Sequence, residues 1–486
     1  MREDTRPLSY SSIALLHRSP RTVETRKAPQ QVSTDKQHAM HVHIRTYGCQ
    51  MNCRDSEAAA ALLREHGYSI VDDPAEADIY IANTCSVRAK AEAKAIGKLT
   101  EVLAENRAGH NRLVGAIGCM AERLQAALFE RIPGLHFAIG THQAEALPRV
   151  LAEARAGERG ILRVGRPPRD PAPLRGHEPG KLSAFVNILL GCNRRCSYCI
   201  VPDVRGPERS RPAAEIRDEV AKLAAGGVRE VTLLGQSVMR YGAAPRISDA
   251  LPASAAGFTE PFPRLLEWLC SVPGLARLRF TSGHPHGCTQ ELARAIAASG
   301  PVCEHLHLPL QSGSDRILRL MRRGYDTATY RDAVRELREA VPALALTTDI
   351  IVGFPTETEA EFEQTRAFME EIAFDNAFVF KYSPRPGTEA AGWEDSVPAR
   401  EKARRNRVLL EAQAQRAERI HRALIGQALE VLVEGVSKRN PHRWTGRTRT
   451  NKIVVFDKPP NVQAGELLTV VVEKVTALTL FGRAGG

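Results

Sequence analysis

The chain has 486 residues, of which 43% are hydrophobic and 25% are charged, and its formal net charge is +11. This length suffices for several cores, and the absence of any run of about 18 apolar residues excludes a membrane-spanning helix. The excess of Lys and Arg favours a polyanionic partner, and no secretory signal precedes the ten cysteines, so we expect reduced thiols in the cytoplasm.

Residues 1–39 show little apolar periodicity and are predicted to be a disordered extension. Their arginines also fit an organellar transit peptide, although the acidic residues Glu3, Asp4 and Glu24 argue against one. A third alternative is that translation begins at Met40, just before the first predicted strand.

Residues 40–155 alternate short apolar segments with helical ones, which predicts an α/β domain with a parallel, Rossmann-like sheet. The strand candidates are HVHIRTYGC, ADIYIANTC and RLVGAIGC. Because the carboxyl ends of parallel strands share one edge of a sheet, we expect the cysteines that end these segments to converge there. These cysteines are Cys49, Cys85 and Cys119.

Residues 156–181 are rich in Pro, Gly and Arg and are predicted to be a linker. In residues 182–420 the alternation resumes, and the strand candidates are AFVNILLG, EVTLLGQ, RLRFTSG, HLHLPLQ, TTDIIVG and AFVFKYS. Six such units are too many for a small Rossmann domain and too few for an eight-fold barrel. This pattern predicts a partial, TIM-like barrel with its site at the carboxyl ends of the strands.

A helix predicted over residues 398–424 ends this barrel, and residues 421–486 then change to period-two strands. The candidates ALEVLVEGV, RWTGRTRT, KIVVFD and LLTVVVEKV predict a small β-barrel. Its many basic residues beside Trp444 and Phe456 are typical of an oligonucleotide-binding surface. The alternative is a solvated face with two core aromatics.

Three further cysteines, Cys192, Cys196 and Cys199, have the spacing C-x3-C-x2-C on the loop after the first barrel strand. Three thiolates on one short loop can hold three irons of a 4Fe-4S cube and leave the fourth iron open. A structural zinc site would need a fourth Cys or His at similar spacing, so zinc and inert thiols are the weaker alternatives.

The segment CNRRCSYC in this position resembles the radical S-adenosylmethionine superfamily. The resemblance implies that the open iron binds the amino and carboxylate groups of S-adenosylmethionine. It also implies that an electron from the cube cleaves the sulfonium and yields a 5′-deoxyadenosyl radical. By the same analogy Tyr198 packs near the adenine. Gln236 and Gln311 follow strands and are candidates for cofactor contact, with simple loop structure as the alternative.

Wider segments, among them TYGCQMNCRDSE, NTCSVRAKAE, GCMAER and TDIIVGFPTETEAEF, resemble the methylthiotransferases over about residues 42–483. The small C-terminal barrel resembles the TRAM domain of that family. The resemblance implies that Cys49, Cys85 and Cys119 hold a second 4Fe-4S cluster, whose open iron carries the sulfur to be inserted. Cys53, in the first segment, is interpreted as a packed or surface thiol.

The pattern YGCQMN…DSE resembles one branch of this family, the MiaB-type tRNA-2-methylthio-N6-dimethylallyladenosine synthases. The resemblance implies methylthiolation of carbon 2 of N6-isopentenyladenosine beside the anticodon of tRNA, with two molecules of S-adenosylmethionine. Alternatives within the family are methylthiolation of threonylcarbamoyladenosine in tRNA or of a ribosomal-protein aspartate. A non-catalytic, zinc-stabilised RNA-binding protein is the alternative from a different class.

The implied partners are a tRNA anticodon stem-loop and a reductant protein such as a flavodoxin or ferredoxin. We expect no membrane partner and a monomeric protein.

Overall fold

A computed structural model describes residues 39–166, 176–243, 251–298 and 300–485. The described residues divide into two compact units, with the boundary between Glu178 and Pro179. The predicted extension lies outside the described residues apart from Ala39, and so do residues 167–175 of the predicted linker. In the described ranges, no helix combines the length and the apolar character needed to cross a bilayer.

The first unit is an α/β domain built on a six-stranded parallel sheet, as predicted. Its strands are β1 (His41–Tyr47), β2 (Ser69–Ile70), β3 (Ile79–Thr84), β4 (Leu113–Gly118), β5 (Phe137–Ile139) and β6 (Ile161–Arg163). Its helices are α1 (Gln50–Glu65), α2 (Ala89–Arg107), α3 (Cys119–Leu124), α4 (Ala127–Arg131) and α5 (Leu147–Arg155). The strand order is β2-β1-β3-β4-β5-β6, and every pair is parallel.

Two apolar clusters cover the two faces of this sheet. Leu99 and Val102 of α2 belong to one cluster, and Leu63 of α1 and Leu151 of α5 belong to the other. Strand β6 differs from the sequence prediction, which placed residues 156–181 in a linker. These three residues pair with β5, and a strand so short carries no period-two signal from which it might be recognised.

The second unit begins with a partial barrel. Its strands are β7 (Ser183–Asn187), β8 (Leu189–Leu190), β9 (Arg209–Ser210), β10 (Glu230–Leu234), β11 (Arg277–Phe280), β12 (His305–His307), β13 (Ala345–Val352) and β14 (Asn376–Lys381). Its helices are α6 (Val201–Arg205), α7 (Ala213–Ala225), α8 (Pro261–Cys270), α9 (Gln290–Ala298), α10 (Asp315–Leu320), α11 (Thr327–Ala340), α12 (Glu359–Ile372) and α13 (Ala399–Arg422).

The parallel strands of this barrel form two sheets, ordered β11-β10-β7 and β12-β13-β14. A parallel bridge between Leu278 and Val302 connects β11 to the segment before β12. The six predicted strands therefore form one open arc with helices outside it, which confirms the predicted partial barrel.

The C-terminal part is a closed β-barrel, as predicted. Its strands are β15 (Ala428–Val436), β16 (Arg443–Thr448), β17 (Ile453–Asp457), β18 (Leu467–Val475) and β19 (Thr479–Ala484). The order β15-β16-β17-β19-β18 closes through β19, which the sequence prediction missed. The prediction was also wrong about Phe456 as a surface ring, because its side chain is completely buried in the barrel core.

Two arginines at the start of β11 hold the C-terminal barrel against the partial barrel. Arg277 donates to the carbonyl of Arg447 at 2.6 Å and to Glu430 at 2.9 Å. Arg279 donates to the carbonyls of Thr448 and Arg449 at 2.8 and 2.7 Å. Arg277 is completely buried and Arg279 is 5% exposed, so solvent does not compete for these bonds.

Basic residues of the C-terminal barrel reach back to the amino-terminal ends of the arc. Arg449 pairs with Glu304, which precedes β12, and Lys452 pairs with Asp375, which precedes β14. Residues 447–452 thus lie against the amino-terminal ends of the parallel strands. The cysteine loop lies at the opposite, carboxyl ends of these strands. Arg449 and Lys452 therefore contribute to docking within the protein, although the sequence suggested that the basic residues of this barrel bind RNA.

We expect Arg449→Gln to weaken this docking. The change removes the ion pair with Glu304 and the bonds to the carbonyls of Gly300 and Val302, which costs about 2 kcal/mol. Hydrogen exchange of residues 300–307 should become roughly 30-fold faster. Arg439→Gln, at an exposed arginine on the same barrel, is the control, and equal exchange rates in the two variants would contradict this role.

Candidate functional site

Three cysteines lie at the carboxyl ends of three adjacent strands of the first unit. Cys49 follows β1 and caps α1, Cys85 follows β3, and Cys119 follows β4 as the first residue of α3. The last residues of these strands are in register, since Tyr47 pairs with Thr84 and Thr84 pairs with Gly118. Parallel pairing therefore gathers three thiols that are far apart in the sequence.

A buried polar network fixes the chain around these cysteines. Asn52 accepts a bond from the Cys49 amide at 3.3 Å and donates to Asn83 at 3.1 Å. Asn83 donates to the Asn52 carbonyl and to the Ser56 hydroxyl, both at 2.9 Å. Both asparagines are completely buried. Asn52 and Ser56 belong to the pattern that indicated the family branch, and Asn83 belongs to a segment that indicated the wider family. All three therefore also have a structural role.

Glycines allow the close approach of this network to the strand ends. At Gly118 φ is 93° and ψ is −156°, a region that is nearly exclusive to glycine. An added Cβ would lie 2.5 Å from the Asn83 side-chain oxygen and 2.9 Å from the Thr84 carbonyl oxygen. At Gly48 the added Cβ would overlap the Asn52 side chain at 2.2 Å.

The thiols of this first group interact with each other. A hydrogen bond with Cys49, followed by burial and the charges of Cys49 and Cys119, raises the pKa of Cys85 well above its usual range. Burial, followed by the charge of Cys49, raises the pKa of Cys53 to about 11. Cys85 and Cys53 therefore hold their protons at neutral pH, and a metal that binds Cys85 must displace one.

The second group, Cys192, Cys196 and Cys199, lies on the loop that follows β7 and β8. Burial raises the pKa of Cys192, and burial followed by the charge of Cys196 raises the pKa of Cys199 to about 12. The loop starts at Gly191, where φ is 68° and an added Cβ would lie 2.1 Å from the Pro207 carbonyl oxygen. Only glycine fits this turn.

Three neighbouring segments hold the cysteine loop in place. The Cys192 amide donates to the Gly206 carbonyl at 3.0 Å, and the Ser197 hydroxyl donates to the Leu320 carbonyl at 2.7 Å. The Ser197 carbonyl accepts a bond from the Ala390 amide at 2.8 Å. These bonds tie the loop to three separate segments, and such preorganisation lowers the entropy cost of ligand binding.

The predicted cofactor contacts all lie at the carboxyl ends of the barrel strands. Tyr198 is within the cysteine loop, and its ring packs edge-on against Phe354. Gln236 is half-buried in the loop after β10. Gln311 follows β12 in the left-handed region, with φ at 72°, and its main chain bonds to Asp349 and Ile351. Their contact with a cofactor stays a prediction.

Sequence reasoning missed Arg323, which connects the cysteine loop to the end of β12. Its Nη1 donates to Cys196 Sγ at 3.3 Å and to the Tyr198 hydroxyl at 3.4 Å. Its backbone carbonyl contacts Nε2 of His284 at 3.2 Å, and burial lowers the pKa of that histidine to about 2, so the ring is neutral and donates. Nothing in the segment MRRGY marks this arginine, because Cys196 lies 127 residues away.

Sequence reasoning also missed a polar group on the inner face of the arc. His307 lies 3.4 Å from Asp349 and 3.0 Å from the Thr347 hydroxyl, and its ring centroid is 6.0 Å from that of Phe378. The alternate residues of β13 pack in the core under the helices, so this group faces inward. The period-two pattern of the eight-residue strand β13 is the signal that identifies its inward-facing residues.

Each cysteine group supplies three free thiols, and three thiolates are a donor set that can bind three irons of a 4Fe-4S cube. Within residues 39–166, 176–243, 251–298 and 300–485, no three His, Cys, Asp or Glu side chains are arranged as ligands of one metal ion. Thiolates on one tetrahedral zinc would lie about 3.8 Å apart, given a Zn–S bond of about 2.3 Å. A cube instead binds each thiolate to a different iron and tolerates wider spacing.

Comparison with known proteins agrees with this geometry. The chain matches the radical SAM superfamily over residues 186–369, the TRAM domain over residues 422–484 and the uncharacterized protein family UPF0004 over residues 41–140. It is 43% identical to a tRNA-2-methylthio-N(6)-dimethylallyladenosine synthase of Akkermansia muciniphila, over 91% of this chain and 98% of that protein.

The chain belongs to the tRNA-2-methylthio-N6-dimethylallyladenosine synthase family. Synthases of this name from Opitutus terrae and Moorella thermoacetica are 41% and 44% identical, over 91% and 85% of this chain and 96% and 91% of those proteins.

A solved structure shares the fold of this synthase family member. It is the radical S-adenosylmethionine methyltransferase TsrM from Kitasatospora setae, solved with a tryptophan substrate and a SAM analogue bound. The TM-score is 0.53 at 16% identity, over 73% of this chain and 75% of that one.

We expect Gly118→Ala to disrupt the first cysteine group. The backbone strain alone costs about 1–3 kcal/mol, and the Asn83 and Thr84 oxygens must also move. Hydrogen exchange of residues 113–124 should accelerate accordingly. Gly97→Ala is the matched control, because nothing lies within 4 Å of its Cβ and alanine stabilises a helix by about 0.5–1 kcal/mol. Equal protection in the two variants would refute the tight approach at Gly118.

Proposed function

We propose that this chain is a tRNA-2-methylthio-N6-dimethylallyladenosine synthase. It replaces the hydrogen on carbon 2 of N6-isopentenyladenosine, beside the anticodon of tRNA, with a thiomethyl group. The cofactors are two 4Fe-4S clusters and two molecules of S-adenosylmethionine. The observation that carries the proposal is the 43% identity to a synthase of this name over 91% of this chain and 98% of that protein.

The chemistry explains the need for metal clusters. No protein side chain is basic enough to remove a proton from an aromatic carbon, so general base catalysis cannot start the reaction. When bound, the clusters and S-adenosylmethionine supply radical generation and sulfur transfer. Cys192, Cys196 and Cys199 would hold the cluster that supplies radical generation, and Cys49, Cys85 and Cys119 would hold the cluster that supplies sulfur.

The other tasks of the chain are to bind and orient the substrate and cofactors, and to exclude water from them. Asn52 and Asn83 fix the direction of the first-unit strand ends, because neither amide can turn without losing buried bonds. Residues 447–452 dock at the amino-terminal ends of the arc, where their carbonyls accept bonds from Arg277 and Arg279.

Cysteine substitutions test the assignment of the two clusters. We expect the anaerobically reconstituted protein to contain about eight irons, and Cys85→Ala and Cys196→Ala to contain about four each. Either change should abolish the thiomethylated nucleoside, as measured by mass spectrometry of digested tRNA that carries isopentenyladenosine. Cys270→Ala, at the half-buried end of α8, should retain both iron and product.

Other outcomes discriminate between the alternatives. Zinc in place of iron would support the non-catalytic RNA-binding protein. Full iron content with product only on threonylcarbamoyladenosine, or only on a ribosomal protein, would refute the substrate and leave the reaction class intact. In a strain without this gene and without another copy, persistence of thiomethylated isopentenyladenosine would likewise refute the substrate.

A surface on the C-terminal barrel supports the proposed tRNA partner. Lys458 lies 4.9 Å from the centre of the half-exposed Trp444 ring, and Arg439 and His442 are exposed on the connection before β16. We call these four residues the Trp444 patch. By contrast, Arg443, Arg447 and Arg483 pair with carboxylates. Charge and an aromatic face together hold a nucleic acid backbone and stack on its bases.

We expect the double change Arg439→Gln and Lys458→Gln to weaken tRNA binding in a salt-dependent way. Loss of two phosphate contacts should reduce the slope of log affinity against log salt by about 1.4 on a single-stranded loop and about 1.8 on a duplex stem. The matched control is Lys94→Gln with Lys474→Gln, which removes the same charge from exposed positions outside the patch. Fluorescence titration between low and physiological salt measures both slopes. Equal slopes in the two double variants would show that the Trp444 patch does not bind the tRNA backbone.

The reductant and the cellular context also remain proposals. The exposed Arg195 adjoins Cys196 in the cysteine loop, and its charge fits an acidic electron carrier such as a flavodoxin or ferredoxin. A monomeric state and a cytoplasmic location stay predictions of the sequence.

A further inference from the structure

The guanidinium of Arg323 is a buried cation whose position is fixed by its surroundings. The residue is 8% exposed. Its Nη1 donates to Cys196 Sγ and the Tyr198 hydroxyl, its Nε donates to the Tyr325 hydroxyl at 3.2 Å, and its Nη2 donates to the Pro309 carbonyl at 3.5 Å. The Tyr325 ring also lies 5.4 Å from the guanidinium carbon. Four bonds leave little rotamer freedom.

This cation has no carboxylate partner in the part of the chain that the structure describes. Its contacts there are two phenols, one carbonyl and one sulfur. A buried cation is costly unless an anion compensates it. The sulfur of Cys196 is the contact that becomes anionic, because a cysteine binds iron as the thiolate.

We propose that Arg323 is a positioning residue that raises the reduction potential of the cluster held by Cys192, Cys196 and Cys199. This inference rests on the proposed function, which supplies the cluster. A charged N–H donor at a ligand sulfur stabilises the reduced cluster, which carries one more negative charge than the oxidised cluster. The electron comes from the reductant protein, and no covalent bond is formed or broken at Arg323.

The same nitrogen also fixes Tyr198, which stands between two of the ligands. Arg323 thereby couples the orientation of this ring to the ligand sulfur. In the sequence Arg323 is one of two adjacent arginines, and the other, Arg322, points to the surface and pairs with Glu389 at 2.6 Å. The pair therefore provides an internal control.

The test is a redox titration of the full-length, reconstituted protein, followed by electron paramagnetic resonance. The signal of this cluster is the one that Cys196→Ala abolishes. We expect Arg323→Gln to lower the equilibrium constant for one-electron reduction about tenfold, which is about 59 mV. Arg323→Lys keeps the positive charge but loses the planar set of guanidinium donors. We expect it to lower the same equilibrium constant at least about threefold. Arg322→Gln should leave the potential unchanged.

An unchanged potential in Arg323→Gln at full iron content would overturn the proposal. Should that variant hold too little iron for titration, an unchanged potential in Arg323→Lys would overturn it as well. Weaker binding of S-adenosylmethionine at an unchanged potential would assign the guanidinium to the cofactor instead. The titration needs no tRNA, so failure to modify tRNA would refute the substrate alone, whereas a wild-type protein without this cluster would refute the proposed function.

Discussion

Parallel pairing of neighbouring strands is the constraint on which the rest of this structure depends. It brings the ends of β1, β3 and β4 together and thereby places three distant cysteines at one edge of the sheet. In the second unit the same arrangement places the cysteine loop at the carboxyl ends of the arc, while residues 447–452 dock at the opposite ends. Each unit therefore carries one group of three thiols beyond the carboxyl ends of parallel strands. Strand pairing assembles the first group, whereas the second lies on a single loop.

Many polar side chains form hydrogen bonds that fix the positions of these strand ends. Asn52 and Asn83 are buried side chains that bond almost entirely to each other and to the main chain near the cysteines. Arg323 does the same for the loop of the second unit, with a charge in place of an amide. Such networks are unfavourable when only some of their hydrogen bonds are formed. The loss of one of these side chains should therefore affect all the strand ends that the network connects.

The sequence predicted those features that local patterns encode. Period-two strands, the spacing of the cysteine loop and cysteines at strand ends were all recognisable. The short strands β2, β5 and β6 were not, because two or three residues carry no periodicity. Nor could charge counting show that Arg449 and Lys452 pair with Glu304 and Asp375, since those partners depend on how two barrels meet.

The central claim is that each cluster is anchored by three cysteines and keeps one iron open. Cys53 is the residue that most directly challenges it, because its amide bonds to the Cys49 carbonyl one helical turn away and its thiol is close enough for the charge of Cys49 to raise its pKa. Mössbauer spectroscopy of the iron-57 protein, with and without S-adenosylmethionine, measures the ligands directly. The account predicts one distinct iron in each cluster without a cysteine ligand. Four cysteine-bound irons in either cluster would contradict it.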